Sequence, residues 1–177
     1  HFTHVVKGKG FNVLKGICVK LGDGHVLSTC FDPQSLSYRA VWDGWIRFEP
    51  HRWGTSRNAN VDEKPWFALA KAEMPEAGEY LGLRRFGKRV VFEYRIGGVR
   101  IEDEPWGTKD ALYRRIDLKD AAKSLALPCR VMDGALKVQV VESKGVKSAR
   151  WDEGELEIQE NGKDAHLIIR VSKEKKP

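Results

Sequence analysis

The chain begins His1-Phe2-Thr3-His4. A histidine at a mature amino terminus can chelate copper through its α-amino group and one ring nitrogen, and a second imidazole completes a T-shaped brace. His4 is a poor second arm, because residues three apart on extended chain point to opposite faces. His25, His51 and His166 are the other imidazoles, and Tyr38, Tyr80, Tyr94 and Tyr113 supply phenols for an axial position. The competing reading makes His1 the point where a longer chain was cut, which removes the free amine. On that reading no metal is expected.

Other reactive residues are scattered. Asp32, Asp43, Glu49, Asp62, Glu63, Glu102, Asp103 and Glu104 lie near turns or a long loop. Glycoside hydrolysis needs two carboxyls about 5–10 Å apart, and spacing along this chain places no such pair. Solvated turn and edge charges are the expected state. His25 or His51 with a serine lacks a nucleophile elbow. Gly8-Lys9-Gly10 lacks the strand-to-helix setting of a phosphate loop. No catalytic residue is assigned.

The aromatic residues give a stronger signal. Trp42, Trp45, Trp53, Trp66 and Trp106 include two that straddle Asp43-Gly44 and two in a loop rich in polar groups. Aromatic faces bind the apolar faces of sugar rings while nearby polar groups fix the hydroxyls. The ligand-binding residues this predicts are Trp42, Trp45, His51, Arg52, Trp53 and Trp66. The competing role for such rings is to fill a core or anchor a loop.

The elements that must hold these residues alternate with period two. In Arg89–Ile96, the residues Val90, Phe92, Tyr94 and Ile96 share one face, and Arg89, Glu93 and Arg95 the other. That pattern is a half-buried antiparallel strand. Gly97-Gly98 turns it into Val99-Arg100-Ile101, and residues 80–86 precede it across Gly87-Lys88, which makes a three-strand meander. Further strands are predicted from Val13 to Leu21, His25 to Phe31, Leu36 to Trp42, Trp45 to Phe48 and Leu136 to Val140. Leu156–Ile158 and Leu167–Val171 read as a hairpin around Asn161-Gly162. Leu118 to Leu125, with Asp117 as cap, is the one short helical stretch. Residues 50–78 read as a long covering loop. The fold class is therefore all-β, an antiparallel β-sandwich of about a dozen short strands. It forms one domain over residues 1–177, read as excised from a larger multidomain protein.

Composition bounds the rest. The 177 residues are 41% hydrophobic and 32% charged, an ordinary globular mix. No apolar run is long enough to span a membrane. The net charge of +6 is spread along the chain rather than gathered into a stripe, so nucleic acid is not an expected partner. Cys18, Cys30 and Cys129 form neither a CxxC nor a haem-attachment motif, and no cofactor is expected. Cys18 and Cys30 fall on consecutive predicted strands, where a disulfide is geometrically feasible. The odd count favours buried thiols.

Three stretches carry a resemblance. Leu14-Lys15-Gly16-Ile17-Cys18-Val19-Lys20-Leu21-Gly22, then Cys30-Phe31-Asp32, then Leu36-Ser37-Tyr38-Arg39-Ala40-Val41-Trp42-Asp43-Gly44 lead into the hairpin of residues 83–98 and Glu104-Pro105. Together, over about residues 10–118, they resemble an uncharacterised β-rich domain of large secreted planctomycete and verrucomicrobial proteins. Those proteins also carry cytochrome c and sugar-dehydrogenase-like modules. The chain departs from the pattern at Trp45-Ile46-Arg47, where a glycine-rich turn is usual. The resemblance carries over no catalytic residues. It implies a periplasmic or secreted accessory domain in the company of redox modules.

The sequence thus reads as a noncatalytic interaction domain that docks a neighbouring module or subunit, or binds polysaccharide. A second reading is a polysaccharide-active enzyme, working through copper at His1 or through a carboxylate pair. A third is a structural subunit of a periplasmic or membrane-associated assembly.

Overall fold

The computed structural model describes residues 5–22, 24, 27–48, 58–69, 71–119, 125–128, 136–152, 155–160 and 164–173. In chain order the strands are β1 (Val5–Gly8), β2 (Phe11–Leu14), β3 (Ile17–Leu21), β4 (Leu27–Asp32), β5 (Ser37–Asp43), β6 (Arg47–Phe48), β7 (Asn58–Val61) and β8 (Phe67–Ala68). They continue as β9 (Gly78–Phe86), β10 (Arg89–Ile96), β11 (Val99–Gly107), β12 (Ala111–Lys119), β13 (Leu125–Pro128), β14 (Leu136–Lys144), β15 (Val146–Asp152), β16 (Glu155–Glu160) and β17 (Ala165–Lys173). The chain is all-β, with no helix among the described residues.

Among the described residues the strands form four sheets, ordered β2-β1-β7-β6, β3-β4-β5-β8, β14-β17-β12-β11-β10-β9 and β13-β16-β15. The β3-β4-β5-β8 sheet is a middle layer. Its Ile17, Val19, Leu21, Leu27, Phe31 and Val41 face the six-stranded sheet and join Phe92, Tyr94, Ile101 and Ile116 in one core. Its opposite face carries Cys18, Cys30, Ala40 and Trp42, which pack on Val6, Phe11, Val13, Ala59 and Val61 of the first sheet. Every residue of β4 is consequently buried, and so is β5 up to Trp42. A strand buried on both faces need not alternate.

Aromatic contacts tie the layers. Phe31 stacks on Phe92 with centroids 4.2 Å apart and meets Tyr38 edge-on at 5.3 Å. Each such ring contributes about 2–3 kcal/mol through burial. Turns follow from backbone freedom: Gly97 and Gly98 both take positive φ, which fits the tight turn between β10 and β11. Lys15 also takes positive φ, at 56°, and breaks the predicted Val13–Leu21 strand into β2 and β3.

Four expectations are corrected. Asp117, Leu118 and Lys119 end β12 rather than begin a helix, because Leu118 is a core residue paired with Ala165; residues 120–124 lie outside the described set. Leu156–Ile158 and Leu167–Val171 are not a hairpin: β16 pairs with β13 and β15, while β17 inserts between β12 and β14. The stretch 50–78 contains β7 and β8, so it is not wholly loop. Among the described residues there are seventeen strands where about a dozen were expected.

Candidate interaction face

The outer face of the six-stranded sheet carries an ordered array of charged and aromatic side chains. Strand registers set its rows. Glu93, Glu102, Asp117 and His166 are successive cross-strand partners, and Lys144 closes the row. A second row runs Glu79, Arg95, Arg100 and Lys119. A third places Trp106 beside Tyr113, then Arg170 and Gln139.

Like charges directly opposite each other, such as Glu102 and Asp117, are destabilising unless counter-charges sit nearby. Arginines supply them. Arg84 pairs with Glu93 and lies 2.8 Å from Glu102, and Arg100 lies 2.6 Å from Glu93. Arg89 grips both oxygens of Glu104 at 2.5 and 2.6 Å, with Arg115 3.5 Å away. The hydrogen bonds it donates to Glu104, and the Glu104 charge, push the Arg89 guanidinium further up from its already high value. At one end Nδ1 of His166 sits 2.6 Å from Asp117, with Glu142 3.7 Å from the other ring nitrogen. An open groove there is lined by Asp117, Lys119, Lys144, Asp164 and His166.

Trp106 and Tyr113 stack within 9° of parallel, with centroids 5.2 Å apart, and both are half-buried. Arg170 donates to Gln139 Oε1 at 3.2 Å beside them. Arg115 Nε is buried with no hydrogen-bond partner among the described residues.

Between the layers the same residue types make closed networks. Asp103 accepts from Tyr38 at 3.0 Å and Tyr94 at 2.9 Å, and is ion-paired with Arg114. Burial is the main cause that pushes the Tyr38 phenol well above its ordinary value, with the Asp103 charge adding to it. Asp32 accepts from Arg39 at 2.6 Å and Ser35 at 2.9 Å, while Arg39 also donates twice to the Leu69 carbonyl. A bulge at the β4–β5 register shift gives Arg39 this place. These carboxylates, and the mostly buried Glu104, are not the solvated turn charges expected of them.

Of the residues predicted to bind ligand, Trp42, Trp45 and Trp66 are described; the first two belong to one cluster and Trp66 lies apart in the other. Trp42 is wholly buried beside Phe11, with Nε1 unpartnered among the described residues. Trp66 is buried, donates to Asp43 at 3.0 Å, and is capped by Lys173 Nζ 4.2 Å from its ring. Trp45 is half-buried beneath Lys20, 4.9 Å from its ring. His51, Arg52 and Trp53 lie outside the described residues, as do His1, His4, His25 and Cys129. Trp42 faces the first sheet, whereas Trp66 belongs to the core on the other side. The outer-face residues Arg84, Arg100 and Arg115 were missed, and Tyr113 was considered only as an axial phenol. Their signal was the polar phase of the alternation.

Among the described residues no group of three or more His, Cys, Asp or Glu side chains is arranged to hold a metal ion. No helix among them is long and apolar enough to cross a membrane. The described residues thus form a β-rich domain with a charged, partly open sheet face. A family profile described as a domain of unknown function (DUF6797) matches residues 29–103. That match runs from the second residue past Leu27 in β4 to Asp103 in β11, and so contains Asp32, Arg39, Tyr38, Tyr94 and Asp103. No curated protein and no solved structure matches the chain.

Proposed function

We propose that this chain is a noncatalytic interaction domain that docks a partner module or subunit through the outer face of its six-stranded sheet. The observation that carries this reading is the register-aligned ladder of arginines and carboxylates on an open face, with Trp106 and Tyr113 inside it. Charge arrays of this kind steer association and select partners, and half-exposed aromatics and arginines supply anchors. The resemblance to exported domains beside cytochrome c and sugar-dehydrogenase-like modules supports a periplasmic or secreted setting and a redox-associated partner.

Lysine crosslinking of the native complex, followed by peptide mapping, tests it. Links to a partner are expected at Lys88, Lys119 and Lys144. Partner links gathered instead at Lys7, Lys9 and Lys15 would overturn it.

A second reading is glycan binding. The parallel Trp106–Tyr113 pair favours it, because a sugar ring stacks on such a face and Arg170 and Gln139 stand within the same row. Retention on a polysaccharide panel that Trp106→Ala abolishes would support this reading over protein docking.

A further inference from the structure

We propose that Cys18 and Cys30 form a redox-convertible pair that closes to a disulfide within the middle sheet by exchange with a low-molecular-weight disulfide. The two residues are direct cross-strand partners in the β3–β4 register. Both are wholly buried, on the same face, and neither is in a disulfide in this structure. Directly opposed residues of an antiparallel pair have Cα atoms about 4.5–5.5 Å apart. A disulfide accepts about 4.4–6.8 Å. The Cα separation of a direct cross-strand pair thus overlaps the range a disulfide accepts.

The surroundings keep the pair as thiols until it is reached. A hydrogen bond with Cys18, followed by burial, pushes the Cys30 thiol well up. Exchange needs a thiolate and access, so it requires local opening. β3 is an edge strand of its sheet, and separating it locally from β4 exposes both sulfurs while lifting Ile17, Val19 and Leu21 from the main core. Gly16 holds the space beside Cys30, since a Cβ there would lie 2.7 Å from its sulfur.

The chemistry balances. One cysteine, as thiolate, attacks a sulfur of the external disulfide; a mixed disulfide forms and one thiolate leaves. The second cysteine, as thiolate, attacks the protein sulfur of that mixed disulfide and expels the other thiolate. Both leaving groups take up the protons the cysteines gave up. The two cysteines are oxidised and one external disulfide is reduced to two thiols. The new bond ties the edge strand to the centre of its sheet across a loop of about a dozen residues, a closure that lowers the unfolding equilibrium constant roughly a hundredfold.

The test uses the full chain carrying Cys129→Ser, incubated with oxidised glutathione in buffer and in urea below the unfolding transition. Expected are a loss of two hydrogens in intact mass, a Cys18–Cys30 crosslinked peptide, faster closure in mild urea, and a raised urea midpoint that dithiothreitol reverses. Two alkylatable thiols persisting under all subdenaturing conditions would overturn the proposal. So would closure only at the rate of global unfolding, or a bond that lowers the midpoint. Cys18→Ala is the control and shows no response of its midpoint to oxidant.

Discussion

The interior and the outer face of the six-stranded sheet use the same side chains in opposite ways. Inside, Asp103 and Arg114 have side chains 0% and 3% exposed, and the aspartate's acceptors are filled by two phenols and one guanidinium. Outside, the Arg95–Glu79 pair is 43% and 58% exposed and joins two neighbouring strands. A buried pair is costly to break because the surviving charge is left without water. An exposed pair is screened and contributes little. The lesson is that charge in this protein specifies the packing of layers where it is enclosed and remains for a partner where it is open.

Breaking the interior pair is the largest test. Arg114→Met leaves Asp103 buried beside two hydroxyls and is expected to cost about 3–5 kcal/mol in urea unfolding. Replacing both partners, Arg114→Met with Asp103→Leu, should recover most of that loss. A single variant with wild-type stability would remove the distinction between the two regions.

Packing gives the next effect. Gly16→Ala places a methyl 2.7 Å from Cys30 Sγ and near Val6 and Val13. The expected loss is about 1–3 kcal/mol. Cys30→Ala should relieve much of it in a double-mutant cycle, since the two groups touch; strict additivity would contradict the packing described.

The interior phenols predict an alkaline limit. Burial raises Tyr80 to about 12 and Tyr38 well above its ordinary value. Above the ordinary tyrosine pKa of about 10, the unfolded chain loses these protons while the native state keeps them. The unfolded state then binds fewer protons, so stability falls as pH rises through this range. It is full below about pH 10 and declines towards pH 12 and beyond. Tyr80→Phe should flatten part of that decline in urea titrations at successive pH values, and an unchanged slope would contradict it.

The exposed pair should give the smallest effect. Arg95→Ala is expected to change stability by less than about 0.5 kcal/mol, while charge reversal at Arg84 and Arg100 weakens partner capture. A large stability loss from Arg95→Ala would make the outer face structural rather than available.

The meander of β9, β10 and β11 was legible because Val90, Phe92, Tyr94 and Ile96 alternate cleanly and Gly97-Gly98 marks the turn. β12 was not, although it is central in its sheet, because Arg114 interrupts the apolar phase of Leu112, Ile116 and Leu118. Its partner Asp103 lies on another strand, so nothing local announced that the charge was enclosed. The predicted aromatic set had the same difficulty. Trp42 and Trp66 look alike in sequence to Trp106, but only the layers decide that the first two are covered and the third is half-open.

The sequence by itself determined the all-β class, the Gly97-Gly98 turn and the alternating faces of the meander, because these rest on backbone freedom and side chains two residues apart. Tertiary structure alone decided that one sheet lies between two others and that the Cys18–Cys30 pair is enclosed there. It also decided which charges are enclosed. Those outcomes depend on which faces meet, and that depends on contacts between residues far apart in the chain.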